Sequence, residues 1–178
     1  MTTWSTRAGS IARGLEAAHV GVARERGATC SAVLVVVSGA SVHVGWVGAL
    51  EAVVLRDGEV VHRTTPHLFS LESANLVPGA GLADLSRAPR VNRALGMSSP
   101  GREPGVDLAG PWATEPGDLV VMCSAKVSGV LSEADLTALA CRDDVAAIVR
   151  GLVTTASTRG DFVELSAIAL RIKAPRRG

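Results

Sequence analysis

The chain has 178 residues, 47% hydrophobic and 20% charged, the size and balance of one globular domain able to bury a core. A net charge of +1, from 18 Lys+Arg against 17 Asp+Glu, excludes a general field for nucleic acid or an anionic membrane. With 3% aromatics and no Tyr, a stacking platform for single-stranded nucleic acid is excluded as well, and the core falls to Val, Leu, Ala and Ile.

The first predicted element is a helix over residues 5–26. Ala8, Ile11, Ala12, Leu15, Ala18 and Val22 recur at helical spacing, Gly27 is placed to end it, and His19 beside the stripe reads as a packed or surface histidine. β signals follow. "SAVLVVV" and "SVHVGWVG" flank the turn "SGAS", and "EAVVLR" and "EVVHR" flank Asp57-Gly58, a pair suited to a two-residue hairpin because both positions need positive φ. Residues 32–63 are therefore expected to form one four-stranded antiparallel meander.

The middle, 64–116, is less regular. "TPHLFSLESANL" has room for a short helix, whereas "VPGAGLADLSRAP" and "MSSPGREPGV" are rich in Pro and Gly and read as loops. "EPGD" then turns into the strand "LVVMCS". Ser132 opens a helix with a capping box, Ser-Glu-Ala-Asp, and Leu131 is placed to staple onto Leu136. Another helix is expected over 143–155, and "FVELSAIALRI" reads as the closing strand. Helix, meander, irregular middle, strand, two helices and strand make an α+β chain, not a βαβ alternation. The whole of 1–178 reads as one domain ending in a solvated tail, 173–178.

No apolar run reaches membrane-spanning length, and "MTTWSTRAGSIARGLEAAHV" lacks the continuous apolar stretch of a secretory signal. Cys30, Cys123 and Cys141 are scattered and odd in number. They make neither a disulfide framework nor a zinc site, and read as small buried residues of a cytoplasmic protein. His19, His43, His62 and His67 show no metal-binding spacing, although His43 and His62 are expected on nearby strands. Ser124 and Lys126 stand two apart on a strand end, a spacing that forms no known nucleophile motif, and neither a nucleophile elbow nor a phosphate loop occurs.

Four segments carry a resemblance. "VHVGWVGALEAVVLRDGEV" resembles V-G-D-S-R-x-Y-L-x-R-x-G, and "VNRALG" resembles T-R-A-L-G. "PGDLVVMCSAKVSGVLSEADL" resembles P-G-D-x-L-L-L-C-S-D-G-L-x-D-x-L-S-D-x-E, and "VELSAIALRI" resembles D-N-V-S-A-I-V-V-R-V. Together, across about residues 28–172, they resemble the metal-dependent protein serine/threonine phosphatases of the PP2C (PPM) type. The resemblance implies an antiparallel β-sandwich flanked by helices. It also implies two Mn or Mg ions, held mostly by carboxylates, that activate a water against phosphorus.

Carried over residue by residue, the frame persists and the carboxylates do not. The Asp of V-G-D-S-R falls on Ala49, the two Asp of the C-S-D-G motif on Ala125 and Gly129, and the Asp-Asn of the last strand on Val163 and Glu164. Asp118 matches a Gly-Asp that in the family makes a turn and binds no metal. The family's remaining metal and phosphate elements precede the helix at which this chain starts, so the resemblance implies an N-terminally truncated domain with open strand edges.

The expected function is therefore a degenerate phosphatase domain: a pseudophosphatase without cofactor, acting as a binding module on a kinase or phosphoprotein, with a homodimer through an exposed sheet edge as a second expected partnership. Lys126, standing at a family metal-loop Gly, is the expected phosphate contact, paired with Glu164 or Glu51. The alternative is a divergent active phosphatase that uses Glu51, Asp161 and Glu164.

Overall fold

The strand-rich segment is divided between two sheets, and the division falls at Gly48 and Ala49. β1 (Ala32–Ser38) and β2 (Ser41–Val47) form one antiparallel hairpin, and β3 (Leu50–Arg56) and β4 (Glu59–Arg63) form the next. In this computed structural model, which describes residues 3–69, 91–97, 105–160 and 164–174, β2 and β3 do not pair. One sheet runs β1-β2-β5, with β5 at Asp107–Ala113. The other runs β4-β3-β6-β7, with β6 at Leu119–Ser124 and β7 at Ala167–Arg171.

The expected single meander is thus corrected. Both hairpins form, and Asp57 (φ 51°) and Gly58 (φ 87°) take the two positive φ values that the short turn demands. The hairpins stack face to face because β2 and β3 are buried along almost their whole lengths, on both faces, which one half-solvated sheet cannot provide. Gly48 makes the crossing at φ +93°, where an added Cβ would stand 2.2 Å from Ser31 Oγ.

Alternation along the strands builds two cores. Val42, Val44 and Trp46 of β2 meet Ala52 and Val54 of β3 and Val120 of β6 between the sheets. The opposite faces of β3 and β6, through Val53, Leu55, Leu119 and Val121, carry three helices: α2 (Ala125–Ser128), α3 (Glu133–Ala140) and α4 (Val145–Arg159). From α4, Ile148, Leu152 and Ala156 are fully buried there. The outer face of the other sheet carries α1 (Thr3–Ala23), which buries Ala8, Ile11 and Leu15 as its sequence stripe requires. Gly45 lets this helix approach, since a Cβ on it would sit 2.3 Å from Ile11 Cγ2.

The capping box at α3 forms in full: Ser132 Oγ accepts from Asp135 N–H (3.2 Å), and Asp135 Oδ2 accepts from Ser132 N–H (2.8 Å). Leu131 and Leu136 reach one core cluster. Asp118 behaves as a turn residue. Its carboxylate accepts from Glu115 N–H (2.8 Å) and takes both Arg56 Nε (2.9 Å) and Nη2 (2.8 Å). His19 is packed, its Nδ1 accepting from Gly96 N–H at 3.0 Å.

The irregular middle holds a strand that the sequence reading missed, β5. Gly110 and Pro111 sit in its centre and masked it. They are tolerated because β5 is an edge strand whose register shifts between Val42 and Val44 of its partner. The closing strand is shorter than the expected run, β7 spanning Ala167–Arg171 only. The short helix expected in "TPHLFSLESANL" and the loop "VPGAGLADLSRAP" lie largely or wholly outside the described residues, as do Asp161 and Val163. Of the cysteines only Cys123 is buried; Cys30 and Cys141 are exposed, contrary to the expectation for all three.

Candidate functional site

At one end of the sandwich several passages between layers come together. β1 begins after Ser31, β2 passes to β3 through Ala49, β6 ends at Ser124, and β7 is entered from Glu164. These passages, with Leu68 and Val91 between β4 and β5, surround a cleft of 690 Å³. Ala49 and Ala125 meet in its wall, the Ala125 N–H donating to the Ala49 carbonyl at 2.9 Å, while Ala49 N–H donates to Ser31 Oγ at 2.8 Å. The structure therefore brings together two of the positions that the resemblance aligned with metal-binding aspartates. A third, Gly129, ends α2 and does not line the cleft. Val163 lies outside the described residues.

Lys126, exposed on α2, lines the cleft, and so does Glu164. The expected ion pairs do not form among the described residues. Lys126 has no described carboxylate within 4 Å, and Glu51 is paired with Arg63. Glu51 is 3% exposed, points to the helix-covered face of β3, and accepts from Arg63 Nη2 at 3.0 Å. It does not reach the cleft, which removes it from any ligand set. The Asp57-Gly58 turn alone would set Arg63 opposite Ala52, on the other face; a register shift between Val54 and Leu55 sets it opposite Val53 and so on the face of Glu51, which no local signal in the sequence encodes.

Neither Ser124 nor Cys123 offers a nucleophile. Ser124 Oγ accepts from Ser166 N–H (3.4 Å) and has no bond to Lys126. Cys123 faces the helix-side core, where burial, reinforced by the Glu51 charge, pushes its thiol pKa up to about 12. His43 and His62 share no site. His43 is buried on the α1-covered face of β2, and His62 belongs to the other sheet and stacks on Trp112.

His67 was assigned no role by sequence, yet it is bonded to the Gly48 turn that leads into Ala49 of the cleft. It is 5% exposed, and both ring nitrogens are engaged: Nδ1 accepts from Gly48 N–H (3.1 Å) and Nε2 faces Asp107 Oδ2 (3.1 Å). The Gly48 N–H fixes the tautomer, so Nε2–H donates to Asp107. Burial, with the Arg93 charge adding to it, lowers the His67 pKa despite the carboxylate. Arg93 completes the clamp, donating from Nη1 and Nη2 to Asp107 at 3.1 Å each. The clamp sets the Gly48 turn and hence the position of Ala49.

A pair of hard divalent ions needs several anionic oxygens, since apolar side chains cannot replace lost hydration. The described lining gives one carboxylate, Glu164, an ammonium and serine hydroxyls. Among the described residues, no group of three or more His, Cys, Asp or Glu is arranged to hold a metal. The described residues do not fit a two-metal centre.

This architecture, two stacked antiparallel sheets with helices on both outer faces, is the fold of the PP2C (PPM) serine/threonine phosphatases. The chain is similar in structure to PppA, described as a key regulatory component of T6SS in Pseudomonas aeruginosa. That match has a TM-score of 0.73 and 23% identity, and covers 92% of this chain and 69% of that one. It is similar to the S. agalactiae serine/threonine phosphatase at TM-score 0.72 and 20% identity, covering 97% and 73%. It is also similar to the catalytic domain of the phosphatase PstP in complex with 2 manganese ions, at TM-score 0.60 and 21% identity, covering 93% and 69%. No family model matches the chain, and no curated protein matches it in sequence. No helix among the described residues is long and apolar enough to cross a membrane.

Proposed function

We propose that the chain is a PP2C-like pseudophosphatase, a regulatory module in serine/threonine phosphorylation signalling. It holds a phosphorylated segment of a kinase or other phosphoprotein in the cleft without hydrolysing it. The observation that carries this reading is the meeting of Ala49 and Ala125 where metal-binding carboxylates are expected, with Lys126 entering the same cleft. An ammonium without a carboxylate partner attracts phosphate as a point charge but activates no water. That PppA is a regulatory component is in keeping with such a role.

Two measurements test it. Calorimetry with manganese should show no binding, and an aryl phosphate should not be hydrolysed in its presence. A phosphoserine peptide should bind, and Lys126→Ala should weaken it by roughly 1 kcal/mol, about fivefold, the scale of one solvent-exposed charge-assisted bond. Manganese-dependent hydrolysis would reinstate the active phosphatase, with Glu164 the carboxylate of the cleft. Unchanged peptide affinity in Lys126→Ala would remove the phosphate contact.

A further inference from the structure

The two flanks of the sandwich differ. On one, β4 lies against β5, with His62 stacked on Trp112 at 4.8 Å between ring centroids and 5° between planes. The outer edges of that flank carry the usual devices against strand addition: Pro111 and a register shift in β5, and Glu59, His62 and Arg63 within the five residues of β4. The other flank is formed by β1 and β7. β1 reads AVLVVVS, with no charge, Pro or Gly, and among the described residues it pairs only with β2. Among the described residues β7 likewise pairs only with β6.

Three strands lie over four. With β5 on β4, and with both β2 and β1 approaching β3, no described strand of the smaller sheet stands over β7. Exposure agrees. Ile168 and Leu170 pair with Met122 and Val120 and point to the same inner face, yet Val120 is 0% exposed while Ile168 is 58% and Leu170 38% exposed. The flank is a step, with the apolar inner face of β7 as its tread and the unpaired edge of β1 as its riser.

We propose that a second copy of the chain closes this step. A two-fold axis along the strands, midway between the sheets, inverts the step and fits it into itself. β1 of each copy then adds to the edge of β7 of the other, and the two β7 strands stack with Ile168 and Leu170 in a shared core. Both strands start at the cleft end, where Ser31 and Ser166 stand, so each junction is parallel. The result is two continuous seven-stranded sheets and an isologous interface.

The occupant follows from what each candidate leaves unpaired. A helix would leave the N–H and C=O groups of β1 without partners. A lone extended peptide would pair with β1 but bring a new open edge of its own. A second copy supplies, by symmetry, both the edge that β1 lacks and the apolar cover that β7 lacks. Charge does not oppose it. The Arg171 guanidinium is held on the helix side by the carbonyls of Gly117 (2.9 Å), Ala140 (2.9 Å) and Arg142 (2.7 Å), so it stays out of the joint.

The test is independent of the cleft. Sedimentation velocity of the full chain at micromolar concentration should show a dimer. Ile168→Lys, which places two ammonium groups face to face in the joint, should be monomeric with an unchanged far-ultraviolet circular dichroism spectrum. In a Cys30→Ser, Cys141→Ser background, Ile168→Cys should be captured as a dimer by a short bis-maleimide, and Val61→Cys on the opposite flank should not. A monomeric wild type, a dimeric Ile168→Lys, or equal capture at Val61 would each overturn the proposal.

Discussion

Removing the guanidinium of Arg63 tests how the fold tolerates a carboxylate in its helix-side core. Glu51 is 3% exposed beside Val53 and opposite Cys123, and Arg63 is its one hydrogen-bond partner among the described residues. Breaking a fully buried pair costs about 3–5 kcal/mol. The Arg63 side chain is 38% exposed, so water reaches the pair, and the cost of Arg63→Met is reduced to about 2 kcal/mol. For a chain of this size that lowers the melting temperature by roughly 4–8 °C. The double variant Glu51→Leu, Arg63→Met removes both charges and should recover to within about 1 kcal/mol of the wild type. Urea unfolding of the four members of the cycle measures this. A single variant within about 0.5 kcal/mol of wild type, or a double variant as unstable as the single, would refute the reasoning.

Stability should also depend on pH through His67. Burial lowers its folded pKa below the ordinary 6.5, so the folded state binds its proton less well than the unfolded chain. The contribution is fully present above about pH 6.5 and is lost as pH falls from there to the folded pKa. His67→Asn should flatten the urea midpoint between pH 5 and 7 relative to wild type; an unchanged slope there would count against the clamp. In the cleft, the triple variant Ala49→Asp, Ala125→Asp, Lys126→Gly returns anionic oxygen beside Glu164. It should show a manganese-binding heat by calorimetry that the wild type does not, and no heat in the triple variant would show that these positions do not converge on one ion.

The candidate site was half legible. That Ala49 and Ala125 belong together was readable from two segments resembling one family frame, since each stands at a strand end whose flanking turns are locally encoded. The partners of Lys126 and Glu51 were not readable in the same way. On β3, one residue's step turns a side chain from the inter-sheet face to the helix face, and Glu51 falls on the helix side, out of reach of the cleft. His67 was passed over because its role rests on Asp107 and Arg93, 40 and 26 positions away in sequence, which meet it only once β5 has paired with β2.

By itself the sequence determined what neighbouring residues decide: the apolar stripe of α1, the Asp57-Gly58 turn, and the reciprocal Ser132–Asp135 bonds at the start of α3. Each is a contact over four residues or fewer, closed at little entropic cost and independent of the rest of the chain. Tertiary structure alone decided that two adjacent hairpins belong to different sheets, that a segment centred on Gly110 and Pro111 is a strand, and that one flank is stepped. Those outcomes depend on burying both faces of β2 and β3 at once, a requirement that no local stretch carries because it is satisfied only by strands and helices distant in the chain.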